Sequence, residues 1–324
     1  MRILMLTTTD PHLNLAIEEF LFRHVEEDLF LLWQNAPTVV IGKNQNAYAE
    51  IDLPLAKEQN IRIARRITGG GAVYHDLGNL NYTFISGARE SGGLDFAHFC
   101  APVIKAMAKM GVTLTLSGRN DLLLDQKKVS GNAQYTANGR TLHHGTLLFD
   151  SDLGVLRRIL RTDKDKIRPR AVASARSGVA NLKPFLPEIS SAWELAERIA
   201  DCVVEEYGAT PLAVPENAEI ECLCQRNASA EWLFPEKDYL TEYTVVQKRR
   251  YDFGTVEISL QMQGETVRNA RIQGDFFGNR PIEELESLLC NQPLSALAKP
   301  LSSFPVSQFI CGMTVEELYD LLSH

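Results

Sequence analysis

Three consecutive glycines, Gly69-Gly70-Gly71, set the hardest local limit on how this 324-residue chain can fold. A backbone without β carbons can approach a ligand closely and can turn its N–H groups toward an anion. Alone, the triplet spells only a tight turn. Its flanks say more: Arg65-Arg66 stands before it and His75-Asp76-Leu77-Gly78-Asn79 follows. A guanidinium such as that of Arg66 offers a planar fork of donors suited to phosphate or carboxylate. The segment therefore reads as an anion-binding turn. It lies between a strand over Ile61 to Arg65 and an alternating strand over Asn81 to Ser86.

The surrounding pattern mixes helices and strands. Asp10-Pro11 marks a helix start, because proline at the first helical position loses no hydrogen bond. Leu13, Ile17, Phe20 and Leu21 follow at helical spacing, with Glu18, Glu19 and Arg23 on other faces. Leu29 to Trp33 and Thr38 to Gly42 read as neighbouring strands joined by a turn at Gln34-Asn35-Ala36-Pro37. Helices are expected over Leu53 to Gln59, Asp95 to Met110 and Ala192 to Tyr207. Strands are expected over Val112 to Leu116, Asp121 to Leu124, Lys128 to Tyr135 and Thr141 to Phe149. The basic, aperiodic stretch Asp163 to Ser177 reads as a mobile loop that could close over phosphates. Pro235 to Glu242 is a polar connector, after which alternation restarts at Gly254 to Gly264 and Val267 to Gln273. Pro281 to Leu289 reads as a short helix, and Thr314 with Glu317 has the spacing of a capping box. Two units follow from this pattern, 1–243 and 244–324.

Three further segments carry chemistry. In Gly118-Arg119-Asn120-Asp121 the carboxylate of Asp121 opens an apolar strand, where it could hold Mg²⁺ beside a triphosphate or simply cap a turn. In Lys127-Lys128-Val129-Ser130-Gly131-Asn132-Ala133, Lys128 precedes small residues that leave room for a ligand. A lysine there can neutralise charge that builds in a transition state. Lys127 should point to the opposite face. His143 and His144 lie in an apolar strand and face opposite ways, so they cannot share one metal, and His143 reads as structural.

A net charge of −8 argues against nucleic-acid binding. The six cysteines include no CxxC pair, and Cys222 with Cys224 sits in a segment, Ala218 to Leu223, that reads as buried apolar structure. Met1 to Asp10 holds no apolar run long enough for a signal-peptide core. No stretch reaches the roughly 18 apolar residues of a membrane span. These features predict a cytoplasmic protein without disulfides, acting at no membrane, and a monomer is the expectation.

Taken together, Arg65 to Asn79, Gly118 to Asp121, Lys128 to Ala133 and His144-Gly145-Thr146-Leu147-Leu148 resemble the lipoate–protein ligase family. That family builds its adenylate site from an RRxxGGGxVxHDxGN loop, a GRND turn and a KxSGxA strand. Asn14 to Glu19 and Val39-Val40-Ile41-Gly42 resemble it too. The likeness is strongest over about residues 8–182. It implies an α+β fold: a mixed-sheet catalytic domain related to biotin ligases, with a smaller α/β accessory domain. It implies that Arg66, Gly71, Ala72, Val73, Tyr74, Asn79, Asp121 and Lys128 bind ATP, with Asp121 on the Mg²⁺ side. Lys128 would be the catalytic group, bridging the lipoyl carboxylate and the α-phosphate. Leu15, Ile17, Val40, Gly69, Gly70, His75 and His144 would line the lipoate tunnel. The implied partners are lipoyl domains of 2-oxoacid dehydrogenase E2 subunits or the glycine cleavage H protein. The family often has Arg where Gly178 stands here. An ATP-independent lipoyl or octanoyl transferase of the same fold is the alternative; a non-catalytic lipoyl-binding protein would not need Arg66, Asp121 and Lys128 together. A biotin ligase is disfavoured, because its repeated Gly-Arg pattern is missing.

Overall fold

The computed structural model describes residues 1–87, 94–117, 120–161, 178–235 and 243–323. The expected loop over Asp163 to Ser177, the Gly118-Arg119 pair and most of the connector before residue 243 lie outside the described residues.

Eight strands form the main sheet, in the order β11-β1-β2-β6-β10-β9-β8-β7. They are β1 (Arg2–Leu6), β2 (Leu29–Trp33), β6 (Asn79–Gly87), β7 (Thr115–Ser117), β8 (Asp121–Leu124), β9 (Lys127–Ala137), β10 (Arg140–Leu148) and β11 (Thr210–Pro211). Strands β1, β2 and β11 run parallel, whereas β2, β6, β10, β9, β8 and β7 pair antiparallel. Both faces are covered, which is why β2 reads as an unbroken apolar run. Phe30 and Leu32 meet Phe99, Val103 and Met107 of the Phe96–Lys109 helix and Leu195 and Ile199 of the Ala192–Tyr207 helix. Leu29, Leu31 and Trp33 meet Leu15, Ile17 and Leu21 of the Pro11–His24 helix and Ile220 and Leu223 of the Ala218–Ala228 helix.

A second sheet, β4-β3-β5, comprises β3 (Thr38–Ile41), β4 (Arg62–Arg65) and β5 (Val73–His75). It corrects the expectation that β2 and β3 are joined by a simple turn. The chain changes sheets there, and the crossing is buried: Asn14 Nδ2 donates to Gln34 O (2.8 Å) and to Asn35 Oδ1 (3.0 Å). Gln34 Nε2 in turn donates to Leu77 O (2.8 Å).

Three other expectations change. Glu18 and Glu19 are each only 1% exposed. Glu19 is held by Arg226 (3.0 Å to Nη1) and Arg23, so two helices are tied through one carboxylate. Of the predicted Val112 to Leu116 strand only Thr115 and Leu116 are extended, in a strand that runs on to Ser117. Ala218 to Leu223 opens an amphipathic helix in which Ile220, Leu223 and Asn227 face inward and Cys222 is exposed.

The smaller unit has its own core. Strands β12 (Val245–Tyr251), β13 (Gly254–Gln263) and β14 (Thr266–Gly274) form an antiparallel sheet. Ile258, Leu260 and Ile272 pack beneath Leu285 and Leu289 of the Ile282–Leu289 helix and Leu318 and Leu321 of the Val315–Ser323 helix. The capping box at the last helix forms: Thr314 N donates to Glu317 Oε2 (2.9 Å), and Glu317 N donates to Thr314 Oγ1 (3.1 Å). This unit docks on the glycine turn, where Gly70 N donates to Phe276 O (3.1 Å), and Gly274 N donates to Asn44 O (2.8 Å).

Candidate active site

A cavity of about 580 Å³, partly open to solvent, lies where the two catalytic-domain sheets meet. Leu15, Val40, Ala72 and Val73 supply apolar wall; Arg66, Gly71, His75, Lys128 and His144 supply polar groups.

Lys128 is aimed by an irregularity in its strand. Asp121 pairs with Gly131 and Leu122 with Ser130, yet Leu123 pairs with Lys128, so Val129 is an extra, bulged residue. In a regular strand, residues three apart face opposite ways; a bulge re-aims the side chain. Lys128 accordingly lies over Gly131, with Nζ 3.1 Å from where a β carbon of that glycine would stand. The Asp121 carboxylate holds Nζ at 2.7 Å. The backbone of Lys128 is clamped from the other side, since its N–H donates to Gly178 O (3.1 Å) and its carbonyl accepts from Ala180 N (2.9 Å). Lys127 is exposed, as expected for its neighbour's opposite face.

Arg66 does different work from the nucleotide contact expected of it. Its Nη2 donates to Gly69 O (2.7 Å) and Gly71 O (2.8 Å), and its Nη1 to Val40 O (3.2 Å). Most of its fork is thus spent on shaping the glycine turn, which leaves one Nη1 hydrogen for a ligand. Burial lowers the guanidinium to about 10, opposed by Glu18, so it stays charged at neutral pH.

Behind it runs a buried chain that the motifs contain but do not reveal. Arg66 Nε donates to Thr68 Oγ1 (2.9 Å), Thr68 Oγ1 lies 2.9 Å from His144 Nε2, and His144 Nδ1 lies 3.0 Å from Glu18 Oε1. The same carboxylate accepts from Thr83 Oγ1 (2.6 Å), which accepts from Trp33 Nε1 (3.0 Å). Glu18, Thr68, Thr83 and the cavity-lining Trp33 escape notice in the sequence because their partners are up to 126 residues away.

Other expected residues are distributed unevenly. Ile17 packs in the core rather than on the cavity wall: two residues along a helix from Leu15, it points away. Gly69 and Gly70 face the accessory unit, where β carbons would stand 2.2 Å from Phe276 O and 2.8 Å from the Phe277 ring. The Tyr74 side chain belongs to the small sheet's core, and burial raises its hydroxyl to about 12. Asn79 stands behind the wall, its Nδ2 donating to Asn81 Oδ1 (3.0 Å), and Asn81 itself lines the cavity. His143 is structural, stacked on Phe99 with ring centroids 5.5 Å apart. Asn132, Gly145 and Thr146 complete the wall near Lys128. Among the described residues no cysteine lines the cavity, and Cys100 is buried, with its thiol pushed up to about 11.

Sequence comparison decides the family. A profile described as lipoyl protein ligase A/B catalytic domain matches residues 10–204, and one described as bacterial lipoate protein ligase C-terminus matches residues 241–322. The chain belongs to the lipoate–protein ligase family. It is 34% identical to lipoate-protein ligase LplJ of Bacillus subtilis over 97% of both chains. Among solved structures, P. falciparum LipL1 in complex with lipoate superposes with a TM-score of 0.83, covering 100% of this chain and 99% of that one, at 21% identity. At that identity the likeness is one of fold. The bipartite lipoate protein ligase of Thermoplasma acidophilum, described with its E2 lipoyl domain, is 27% identical with a TM-score of 0.61, over 72% of this chain and 95% of that one. The architecture agrees with the family's: a mixed α+β catalytic domain and a smaller accessory domain.

Proposed function

We propose that this ligase joins lipoate, or a close relative such as octanoate, to a lysine of an acceptor lipoyl domain by way of an acyl-adenylate. The observation that carries the reading is the Lys128–Asp121 pair, at 2.7 Å, at the polar side of a cavity with apolar walls. In the first step the carboxylate of lipoate attacks the α-phosphate of ATP and pyrophosphate leaves. In the second, the acceptor lysine attacks the mixed anhydride and AMP leaves. Neither step needs a protein nucleophile, which suits a cavity that no cysteine lines among the described residues.

What the chain must supply is positioning and charge. Lys128 brings together two anions that repel each other and neutralises the charge that builds between them. Leu15, Val40 and Val73 hold the acyl chain, and Arg66 keeps the glycine turn in the shape that accepts the nucleotide. Among the described residues no three His, Cys, Asp or Glu side chains cluster for a metal. That donor set fits Mg²⁺, which takes one or two carboxylates and completes its shell with phosphate oxygens and water. Asp121 would hold it, and the ion would offset phosphate charge. The domain boundary near residue 243 and a cytoplasmic location belong to this reading. No described helix is long and apolar enough to cross a membrane.

The test is lipoate-dependent ATP–pyrophosphate exchange. Lys128→Ala should lose about 10²–10³-fold, the scale for removing one preorganised donor. Lys127→Ala should be nearly silent. Equal losses at the two positions would overturn the placement of the site.

A further inference from the structure

His75 lines the cavity, and its tautomer is fixed by a chain of bonds that starts at a main-chain carbonyl. Asn14 Nδ2 donates to Thr8 O (3.1 Å) and Gln34 O (2.8 Å), so this nitrogen cannot be exchanged with Oδ1. With both hydrogens directed at those carbonyls, a second NH2 at 3.0 Å would repel it, so the Asn35 atom there must be the oxygen, which shares one of them. Asn35 Nδ2 then donates to His75 Nδ1 at 3.1 Å, which makes Nδ1 an acceptor. In a neutral imidazole the proton must therefore sit on Nε2. Burial, with Arg66 and His144 adding to it, lowers the ring to about 3, so it is neutral throughout the physiological range. The residue is 3% exposed and lines the cavity, and its Nε2 is itself buried, with no partner among the described residues. A buried donor left unpaired is costly, and so it discriminates between ligands that can and cannot accept from it.

The fold places this donor at the end of the cavity remote from Lys128. The His75 ring stands edge-on to Trp33, with centroids 6.2 Å apart. Trp33 lies on β2, and Lys128 projects from β9, three strands away in the order β2-β6-β10-β9. Three strand spacings amount to about 14 Å. An acyl chain whose carboxylate meets Lys128 therefore carries its tail toward His75 and Trp33. An aromatic ring beside an N–H donor suits sulfur, which is polarizable, makes favourable contacts with aromatic rings and is a weak acceptor. A methyl terminus can answer the ring but not the donor.

We propose that His75 Nε2–H is a specificity determinant that favours acyl chains ending in a disulfide ring over plain hydrocarbon chains of the same length. The assignment rests on the cavity being the acyl site. It also gives a purpose to the Asn14–Asn35 relay, which holds the proton on Nε2. Neither residue is catalytic: His75 touches the tail, and Asn35 is a positioning residue.

The experiment compares kcat/KM for lipoate and octanoate in pyrophosphate exchange. The full chain should favour lipoate. His75→Phe keeps a ring of similar size without the donor and should shift the ratio toward octanoate about tenfold, through KM rather than kcat. His75→Gln, which restores an N–H, should recover part of the preference. An unchanged ratio in His75→Phe overturns the proposal. Should that variant fail to fold, ¹⁵N-edited NMR of the unmodified protein decides: lipoate should move the His75 Nε2–H resonance and octanoate should not. Equal movement, or none with either acid, also overturns it. Full exchange with both acids in Lys128→Ala would instead show that the cavity is not the acyl site, a separate failure.

Discussion

Two neutral histidines buried in the catalytic domain make its stability depend on pH in a direction that can be worked out. Burial is the main cause in both: it lowers His75 to about 3 and His143 well below 6.5. In the unfolded chain both titrate near 6.5. Above that value neither state binds the proton and there is no dependence. Below it the unfolded chain takes up protons that the folded chain refuses, so stability falls as pH falls, down to the folded values. At pH 5.5, one unit below the unfolded value, His75 should have cost on the order of 1 kcal/mol, and His143 adds in the same direction. Urea unfolding at pH 7.5, 6.5 and 5.5 measures this, and His143→Phe should flatten the slope. Stability that stays level over that range would contradict the burial of both rings. The sequence shows why His143 faces away from His144, since alternation fixes it. It does not show that His75 is a donor, because the tautomer depends on Asn14 and Asn35, 61 and 40 positions back in the chain.

At the scale of elements, the candidate site depends on where strands deviate from regularity. Alternation along β9 suffices to separate Lys127 from Lys128, but it would put Lys128 and Gly131 on opposite faces. Only the bulge at Val129 brings them together, and a bulge leaves no mark in a hydrophobic pattern. The glycine motifs are legible as places of close approach, though not what approaches. At Gly145 on β10, a β carbon would stand 2.1 Å from Asn132 Oδ1 and 2.6 Å from the Tyr82 hydroxyl. Both atoms belong to a fixed arrangement across three strands, in which Tyr82 also bonds Asn132 and Asn132 Nδ2 donates to Asn120 O (3.0 Å). Gly145→Ala should therefore destabilise the protein by about 1–3 kcal/mol, the usual cost of overpacking. It should also displace Asn132 at the cavity wall, so the loss of exchange activity should exceed what reduced stability explains. Thermal melting and activity on the soluble fraction would separate the two effects. A silent substitution would show that this wall yields.

For the whole molecule, the division into a larger and a smaller unit was legible from the polar connector and the restart of alternation. The way the two meet was not, because the contact joins the glycine turn to Phe276 and Phe277, about 200 residues apart. Gly69 is the informative position. It does not adopt the left-handed backbone that favours glycine, so alanine suits its conformation, yet a β carbon would meet Phe276 O at 2.2 Å. Gly69→Ala should leave each core intact and weaken their docking. Calorimetry should then resolve two transitions where the parent protein shows a single one or two closely overlapping, and proteolysis near residue 243 should quicken. An unchanged melt would mean that the docked arrangement tolerates the added carbon.

The glycine turn is a partition one peptide thick. On one side Gly71 and the Arg66 guanidinium face the cavity; on the other Gly69 and Gly70 bear the weight of the accessory unit. Such a wall has no interior of its own in which to absorb a displacement. What presses on it from the cavity is felt by Phe276, and what loosens Phe276 changes the shape offered to the ligand. Filling the site should therefore alter how firmly the second domain is seated, and loosening that domain should alter the fit of the site.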